Sequence, residues 1–401
     1  MKRKFPLYAI LFFGITAAII LLTTAISPLE SENSPVLRRV FKGSQQPSPQ
    51  PTASTSKVPE LEAEVIVSDL NHPWDMSMLA DGSIIFTQRS NQINIWQDGE
   101  VFTLAEPEDT YVQGEGGMLG LALDPAFEQN NYIYTCFNSQ QGDQLDVRLV
   151  RWVLDRENMT LIDRTDIVAG IPANSSGRHS GCQPVFGPDG YLWIGTGDAA
   201  QASNPQDPQS LGGKILRVDR NGEPAPNNLD EPFDPKIFSY GHRNTQGIGF
   251  FSADKQPDLL GVSIEHGPAR DDELNPLVKG NFGWDPLPGY IETVPMTDTD
   301  KFPEAVEAIW TSGFPTLATS GGTVISGKQW GAWDQAVAMG GLRSERVIII
   351  EIDSNLEVKS QTELFEGEYG RIRTVQQGIE GSLYLLTDNG SSDQIIKITP
   401  R

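Results

Sequence analysis

Cysteine and positive charge are both scarce in this chain of 401 residues. Two cysteines are too few for a disulfide-dense scaffold or for a cysteine-based zinc or iron–sulfur site. The 30 Lys and Arg residues face 53 Asp and Glu residues, so the formal net charge is -23 and a nucleic-acid backbone would be repelled. Hydrophobic residues make up 38% of the chain, which is enough to bury a substantial core and argues against disorder over most of it.

The N-terminus combines basic residues with a long apolar run. Lys2, Arg3 and Lys4 precede apolar residues from about Leu7 to Ile26, a pattern typical of an uncleaved signal-anchor or a cleaved signal peptide. A buried core helix is the third possibility. Both export interpretations place the rest of the chain in the periplasm or the extracellular space, and confine membrane contact to this segment.

A polar linker and one folded domain are predicted to follow. The linker is rich in Ser, Pro, Gln and Thr, a composition that forms no packed core. The predicted domain order is a signal peptide or membrane anchor at 1–26, the linker at 27–57 and the folded domain at 58–401.

Helical periodicity is nearly lacking from residue 61 onward, where short alternating strands are separated by Gly, Asp and Asn. A loose element recurs at intervals of roughly 60 residues, and each copy is an Asp/Gly turn followed by a strand of alternating apolar residues. The six copies span 79–89, 123–137, 187–198, 252–267, 327–342 and 378–390. Six such repeats predict an all-β fold, a six-bladed β-propeller with long insertions in some loops. An array of β-sandwiches is the alternative.

The two cysteines, Cys136 and Cys182, each lie beside one of these strands, in neighbouring repeats. An exported compartment permits a disulfide, and an even count permits its pairing. Two buried free thiols are the alternative. We predict the bridge.

One of the four histidines, His179, lies in surroundings typical of a channel residue. It precedes a predicted blade strand in a loop flanked by Gly and Ser, and loops of this kind carry functional residues. A neutral imidazole there is suited to act as a general base near neutral pH. The alternative is a packing or hydrogen-bonding histidine.

Arginines stand near predicted loop ends at Arg243, Arg343, Arg371 and Arg373. Because Arg371 and Arg373 are two residues apart, they would face the same side of a strand. Four arginines in an acidic domain are suited to bind a polyanionic ligand, and the alternative is that each pairs with an acidic neighbour at the surface. The acidic run 271–273 fits a solvated turn or the ligands of a hard cation such as Ca²⁺, and on its own it favours the turn.

Several segments, taken in order, resemble the soluble glucose/sorbosone dehydrogenase family of PQQ-dependent quinoproteins. They cover about residues 61–398 and include "HPWDMSMLADGSIIFTQR", "GEGGMLGLALDPAFEQNNYIY", "FGPDGYLWIGTGD", "LGGKILRVDRNG", "FSYGHRNTQG", "EHGPARDDELN" and "GRIRTV". Each segment is modest in specificity, but their order along the chain makes the set strong. The family fold is a six-bladed propeller, in agreement with the repeats.

The resemblance implies oxidation of an aldose sugar at its anomeric carbon to the lactone, with hydride transfer to PQQ. His179 matches the family's general base, and Asp198 matches an acidic residue that orients it. Arg243 and Asn244 match residues at the quinone oxygens of the cofactor. An external electron acceptor, a quinone or a cytochrome, would reoxidise the cofactor.

The same resemblance implies further cofactor and metal ligands. Cofactor carboxylates would meet Arg371 and Arg373, and Arg343 matches a position that is Lys in well-known members. The backbone carbonyls of Gly267 and Pro268 would hold the Ca²⁺ that binds PQQ. Glu273 matches a ligand of a second, structural Ca²⁺.

Several positions near the predicted base depart from the family pattern. Glu115 stands where well-known glucose enzymes have a Gln close to the cofactor, Arg178 replaces an Asp, and Gln183 replaces an Arg. Cys182 enters the same loop. These changes leave the base in place but alter the charge around it, so the identity of the sugar stays open.

Two other function classes are alternatives to the dehydrogenase. One is a propeller hydrolase such as a lactonase, in which carboxylates and Asn hold a divalent metal that activates water. The other is a non-catalytic cell-surface propeller that binds a partner. The hydrolase would not need four arginines or a histidine base at the channel. The binding module would not need His179, Arg243 and the turn at Gly267 and Pro268 together.

Overall fold

The structure, a computed structural model, describes residues 57–401 except 255, 257 and 258. The predicted segment 1–26 and all but the last residue of the predicted linker lie outside the described residues. Among the helices in the described part of the chain, none is long and apolar enough to cross a membrane.

Six four-stranded antiparallel sheets confirm the predicted six-bladed β-propeller. The described chain starts with β1 (Leu61–Leu70), which completes the last blade. Blade 1 contains β2 (Pro73–Met78), β3 (Ile84–Gln88), β4 (Gln92–Gln97) and β5 (Glu100–Ala105). Blade 2 contains β6 (Met118–Leu123), β7 (Tyr132–Gln141), β8 (Gln144–Asp155) and β9 (Thr160–Pro172). Blade 3 contains β10 (Gly181–Phe186), β11 (Leu192–Thr196), β12 (Lys214–Val218) and β13 (Ile237–Tyr240).

The remaining three blades follow the same pattern. Blade 4 contains β14 (Thr245–Phe250), β15 (Gly261–Glu265), β16 (Glu273–Pro276) and β17 (Trp310–Thr311). Blade 5 contains β18 (Thr319–Val324), β19 (Val337–Gly341), β20 (Arg346–Ile352) and β21 (Val358–Leu364). Blade 6 contains β22 (Ile372–Gln377), β23 (Leu383–Thr387) and β24 (Asp393–Pro400), together with β1. Two short helices lie between strands, α1 (Phe127–Asn130) and a 3-10 helix at Lys328–Trp333.

The first strand of each of these six sheets lines the centre of the ring. Each of these inner strands contacts the inner strand of the blades on either side, and the contact of β22 with β2 closes the circle. Small residues permit this approach, because a Cβ on Gly247 would lie 2.9 Å from the backbone nitrogen of Gly322 on the neighbouring inner strand. The six sequence repeats supply the second strand of every blade, which is almost entirely buried.

Apolar side chains between adjacent blades form the core. Leu149 of blade 2 and Leu216 of blade 3 belong to one such cluster, and Cys136 on β7 and Cys182 on β10 lie within it. These two cysteines form a disulfide, which confirms the predicted pairing and ties blade 2 to blade 3.

Blade 6 is built from both ends of the described chain. Strand β1 pairs antiparallel with β24, from Leu61 opposite Pro400 to Leu70 opposite Asp393. Because strand direction alternates across each blade, β1 starts at one face of the propeller and ends at the face where the inner strands begin. We call this second face the site face.

Candidate functional site

The predicted site residues converge at the site face, because most of them lie just before an inner strand. Glu115 precedes β6, His179 precedes β10, Arg243 and Asn244 precede β14, and Arg371 precedes β22. Such positions place side chains from different blades around the central axis. The structure therefore brings together residues that lie far apart in the sequence.

His179 is buried and held by three contacts. Its backbone nitrogen donates to Glu115 Oε1 at 2.6 Å, and its Nδ1 lies 2.8 Å from Asp198 Oδ1 and 2.8 Å from the hydroxyl oxygen of Tyr290. Since a carboxylate only accepts, Nδ1 carries the proton and Nε2 presents a lone pair. Nε2 is approached by Arg178 Nη2 at 3.5 Å. Burial and the charge of Arg243 lower the pKa of His179, against the opposing effect of Asp198, so the imidazole is neutral at neutral pH.

Asp198 is fully buried, and its carboxylate accepts four hydrogen bonds. Oδ1 accepts from His179 and from the backbone nitrogen of Ala200, while Oδ2 accepts from Trp284 Nε1 at 2.8 Å and from the Tyr290 hydroxyl at 2.7 Å. Burial and the charge of Asp198 raise the pKa of Tyr290, so its hydroxyl stays protonated. This cage fixes the orientation of the carboxylate and hence that of the imidazole.

Tyr290 and Trp284 were not predicted as site residues. Trp284 lies in the segment "KGNFGW", and its indole N–H, a donor that needs a partner when buried, could have marked it as a candidate. Tyr290 lies in a segment of irregular structure, between β16 and β17, where no periodic pattern marks it.

Arg243 lies beside His179 and is paired with Glu292, a further residue that the sequence did not reveal. Its Nε and Nη2 donate to Glu292 Oε1 at 2.9 and 2.6 Å, and its Nη1 donates to the carbonyl of His266 at 2.6 Å. Arg178 Nη2 donates to Glu292 Oε2 at 2.9 Å, so the carboxylate bridges two arginines. Burial opposes ionisation of Glu292, but the charge and hydrogen bonds of Arg243 and Arg178 outweigh it and lower the pKa of Glu292.

Asn244 links the loop that carries His179 to Glu115. Its Nδ2 donates to Glu115 Oε2 at 3.3 Å, and its Oδ1 accepts from the backbone nitrogen of Gly181 at 3.1 Å. Gln246 Nε2 donates to the same oxygen at 3.1 Å and leads toward Arg373, whose Nη1 donates to Gln246 Oε1 at 3.4 Å. Hydrogen bonds thus connect the surroundings of His179 to the arginines of blade 6.

Arg373 and Arg371 share one carboxylate, that of Asp388. Arg373 Nη2 donates to Asp388 Oδ2 at 2.7 Å, and Arg371 Nη2 approaches the same oxygen at 3.5 Å. The guanidinium of Arg373 also stacks on Trp74, 4.0 Å from the ring centre. Its Nε is buried without a hydrogen-bond partner among the described residues. A buried N–H group of a charged side chain that lacks a partner is suited to donate to an anionic ligand.

Arg343 is exposed on the blade 5 side of this group. Its neighbour Leu342 accepts a weak hydrogen bond from Arg371 Nη1 at 3.4 Å, which places the two arginines on adjacent segments. Arg343 forms no ion pair within the described part of the chain.

The turn at Gly267 and Pro268 lies next to Arg243 through the carbonyl of His266. Asp272 Oδ1 accepts from the Gly267 nitrogen at 3.0 Å and thereby shapes the turn. Burial opposes ionisation of Asp272, but hydrogen bonds and charge from His266 outweigh it and lower its pKa to about 2. Across the described residues, no group of three or more His, Cys, Asp and Glu side chains is arranged to hold a metal.

Glu273 is buried opposite Glu265 in the pairing of β15 with β16. Its carboxylate accepts from Thr297 Oγ1 at 3.0 Å and from Asn275 Nδ2 at 3.1 Å. Burial and the charge of Glu265 raise the pKa of Glu273 to about 8. The Oδ1 atom of Asn275 is buried and finds no partner among the described residues. Two carboxylates and an orphaned amide oxygen form a donor set that suits Ca²⁺.

Gln183 lies on the inner strand β10, at the position where the family resemblance implies an Arg. Its Nε2 donates to Asp75 Oδ2 at 2.7 Å, and Asp75 is fully buried. The buried carboxyl group of Asp75 therefore faces a neutral amide at this position.

Comparison with known proteins gives consistent matches over the propeller. Residues 70–397 match the family model described as Glucose / Sorbosone dehydrogenase. The chain is 30% identical over 359 residues to aldose sugar dehydrogenase YliI of Escherichia coli, covering 85% of this chain and 93% of that protein. It is 29% identical over 268 residues to quinoprotein glucose dehydrogenase B of Acinetobacter calcoaceticus, covering 59% of this chain and 54% of that protein. The PQQ-bound form of an aldose sugar dehydrogenase from Streptomyces coelicolor superimposes with a TM-score of 0.69 and 27% identity, over 86% of this chain and 100% of that one.

Proposed function

The chain belongs to the glucose/sorbosone dehydrogenase family, and we propose that it is a PQQ-dependent dehydrogenase that oxidises an aldose sugar to its lactone. The observation that carries this proposal is the buried His179–Asp198 pair, in which Asp198 holds Nδ1 and leaves the lone pair of Nε2 to accept a proton. Relatives named as aldose sugar and quinoprotein glucose dehydrogenases support the reaction class, and a PQQ-bound structural neighbour supports the cofactor.

The proton chemistry follows from the contacts of His179. Asp198 and Tyr290 hold the Nδ1–H side of the ring, so Nε2 is the atom that accepts the proton of the anomeric hydroxyl. The lowered pKa of His179 keeps Nε2 unprotonated at neutral pH. Asp198 then stabilises the imidazolium until the proton leaves. When bound, PQQ supplies the acceptor for the hydride of the anomeric carbon.

The arginines fit a cofactor that carries three carboxylates. Arg373, with its orphaned buried Nε, and Arg371 and Arg343 beside it would hold the carboxylates. Arg243 and Asn244 would face the quinone oxygens, where a cation and a donor stabilise developing negative charge. Glu115 would fix the geometry by holding Asn244 and the His179 backbone.

Two calcium ions are part of the proposal. The carbonyls of Gly267 and Pro268, beside Arg243, would hold the ion that binds the cofactor. Glu273, with Glu265 and Asn275, would hold the structural ion, because two buried carboxylates and an amide oxygen without a partner among the described residues are ligands that suit Ca²⁺. An exported location and an external quinone or cytochrome acceptor complete the proposal.

Reconstitution tests the proposed function directly. Purified residues 58–401 are mixed with PQQ and CaCl₂, and the absorbance of bound quinone and the aldose-dependent reduction of a dye are recorded. We expect His179→Asn to lower turnover by about 10²–10⁴-fold, because the base is lost, while quinone binding stays near normal.

Arg243→Ala is the contrasting variant. It should lower turnover by about 10²–10³-fold and also weaken quinone binding, because a positive charge is removed. An absence of quinone binding in wild type, or near-wild-type turnover in His179→Asn, would show that the proposed function is wrong.

A further inference from the structure

Lys214 is a fully buried lysine without a role in the proposed chemistry. It begins β12, and its Nζ donates to three backbone carbonyls, those of Asn204 at 2.6 Å, Gly212 at 2.8 Å and Pro205 at 3.1 Å. An ammonium has three donors and no acceptor, so these carbonyls satisfy it completely. No carboxylate of the described residues lies within ion-pair distance of it.

The three carbonyls belong to the loop 197–213, which connects β11 to β12 and contains no helix or strand. Asp198 stands at the start of this loop. Asn204 Nδ2 donates to the carbonyl of Asp198 at 2.9 Å, so one residue held by Lys214 in turn holds the backbone of Asp198. The ammonium thus fixes the support of the carboxylate that contacts His179.

The same loop supports a second side of the Asp198 cage. Gln206 Nε2 donates to the carbonyl of Trp284 at 2.9 Å, and the indole of Trp284 donates to Asp198 Oδ2. The backbone nitrogen of Gly241, in the turn before Arg243, donates to the carbonyl of Pro205 at 3.0 Å. The loop that Lys214 holds therefore contacts the backbone of Asp198, the backbone of Trp284 and the turn before Arg243.

Charge supports the same interpretation. Asp198 is a fully buried carboxylate, and a buried charge is costly unless an opposite charge compensates it. Burial lowers the pKa of Lys214 to about 7, while the charges of Asp207 and Asp198 oppose this effect. The charge of Asp198 thus favours the ammonium form of Lys214.

We propose that Lys214 is a positioning residue, whose ammonium fixes the loop 197–213 and, through Asn204 and Gln206, the Asp198 carboxylate that orients His179. The catalytic consequence rests on the proposed function. The positioning itself is independent of any cofactor and can be measured on the protein alone.

The first test is spectroscopic and uses the cofactor-free full chain. In histidine-labelled protein, the His179 Nδ1–H should give a downfield proton resonance, protected from exchange by Asp198 and assigned by its absence in His179→Asn. We expect Lys214→Met to shift and broaden this resonance. Lys236→Met, which removes a partly exposed lysine paired with Asp234 on the surface, is the matched control and should leave it unchanged.

The second test is kinetic. Lys214→Met should lower kcat by about 10–100-fold while KM changes less than about threefold, because the base is misaligned but the sugar still binds. In a His179→Asn background the same substitution should cost less than about twofold, since there is no base left to position. If Lys214 only stabilised the fold, Lys214→Met should lower kcat by a similar factor whether or not His179 is present.

Asn204→Ala keeps the proposal testable if Lys214→Met does not fold. It leaves the ammonium in place and removes the link to the Asp198 carbonyl, so the same shift of the His179 resonance is expected. An unchanged resonance together with a kcat within twofold of wild type would overturn the proposal. A wild-type protein that binds no PQQ would overturn the proposed function instead, and the resonance would still decide the role of Lys214.

Discussion

At the scale of single residues, the loop that carries His179 depends on left-handed backbone conformations at closely spaced positions. Gly177, His179 and Gly181 have φ values of 77°, 54° and 62°. A Cβ on Gly177 would lie 1.6 Å from the carbonyl oxygen of Gln113, so only glycine fits where this loop meets the neighbouring segment. The backbone thus holds His179 in a conformation that most residues avoid, a common property of functional sites.

Glu292 governs how freely Arg243 can receive an anion. Because the quinone oxygens of the proposed cofactor would accept from Arg243, the Glu292 carboxylate competes with them for the same guanidinium. We expect Glu292→Gln to bind PQQ about tenfold more tightly, which corresponds to about 1.4 kcal/mol. A titration followed by quinone absorbance measures this. Glu307→Gln, which neutralises an exposed acid elsewhere, is the control, and equal affinities of the two variants would contradict the prediction.

Asp75, on the inner strand β2, should make the stability of the fold depend on pH. Its carboxyl group accepts hydrogen bonds from Gln183 and Gln376 and from the backbone nitrogens of Met76 and Leu121. Burial raises the pKa of Asp75 to about 6 in spite of these donors. Since this pKa lies above the usual 3.8, the contribution of Asp75 to stability is complete below about pH 4 and is lost as the pH rises through about 6.

Gln183→Arg should remove this loss. A guanidinium facing Asp75 stabilises the carboxylate and lowers its pKa, so the variant should gain up to about 3 kcal/mol relative to wild type between pH 4 and pH 7. Urea unfolding at several pH values measures the free energy of unfolding of both proteins. Gln377→Arg, which adds the same charge one residue beyond Gln376, should follow the wild-type pH dependence. A pH dependence in Gln183→Arg identical to that of wild type would refute the assignment to Asp75.

Site residues that lie next to a strand could be predicted from the sequence, and those in irregular segments could not. His179 and Arg243 precede inner strands in Gly-containing segments, which the sequence displays. Tyr290 and Glu292 instead come from an irregular stretch, and Tyr290 reaches His179 across 111 residues of chain. No local pattern encodes such a contact, because it depends on the packing of a long loop over the site face.

At the scale of elements, the second strand of each blade was the easiest to predict. These strands are apolar on both faces, and a Gly or Asp turn precedes most of them. Outer strands gave weaker signals, since β17 has two residues and β21 alternates between exposed and partly buried side chains. Their pairing is decided by the neighbouring strand rather than by their own composition.

The disulfide between β7 and β10 should contribute substantially to stability. It joins residues 46 apart in sequence, for which the chain-entropy model gives about 4 kcal/mol. We expect Cys136→Ala/Cys182→Ala to lower the free energy of unfolding by about this amount, measured by chemical denaturation. With strong reductant present during unfolding, the difference between variant and wild type should largely vanish. An equal stability of the two proteins without reductant would contradict the prediction.

At the scale of the whole molecule, closure of the ring depends on β1. Val67 is 6% exposed and packs with Met76 of blade 1 and Ile395 of blade 6, so it joins the two blades that close the circle. Val65 on the same strand is 46% exposed. The two valines form a matched pair for testing the closure.

Val67→Asp should lower the free energy of unfolding by about 3 kcal/mol or more, because it buries an unpaired carboxylate at the closing seam. Val65→Asp should change it by less than about 1 kcal/mol. Denaturant unfolding compares the two variants with wild type. Similar losses at both positions would show that the seam at β1 is not what holds the ring closed.

The direction of β1 has a consequence for access to the candidate site. Residue 57 and the start of β1 lie at the face opposite His179, and a strand of ten residues spans about 33 Å. The chain therefore enters the propeller at the face away from His179. Bulky saccharides and a docking electron carrier would reach the site face without passing this point of entry.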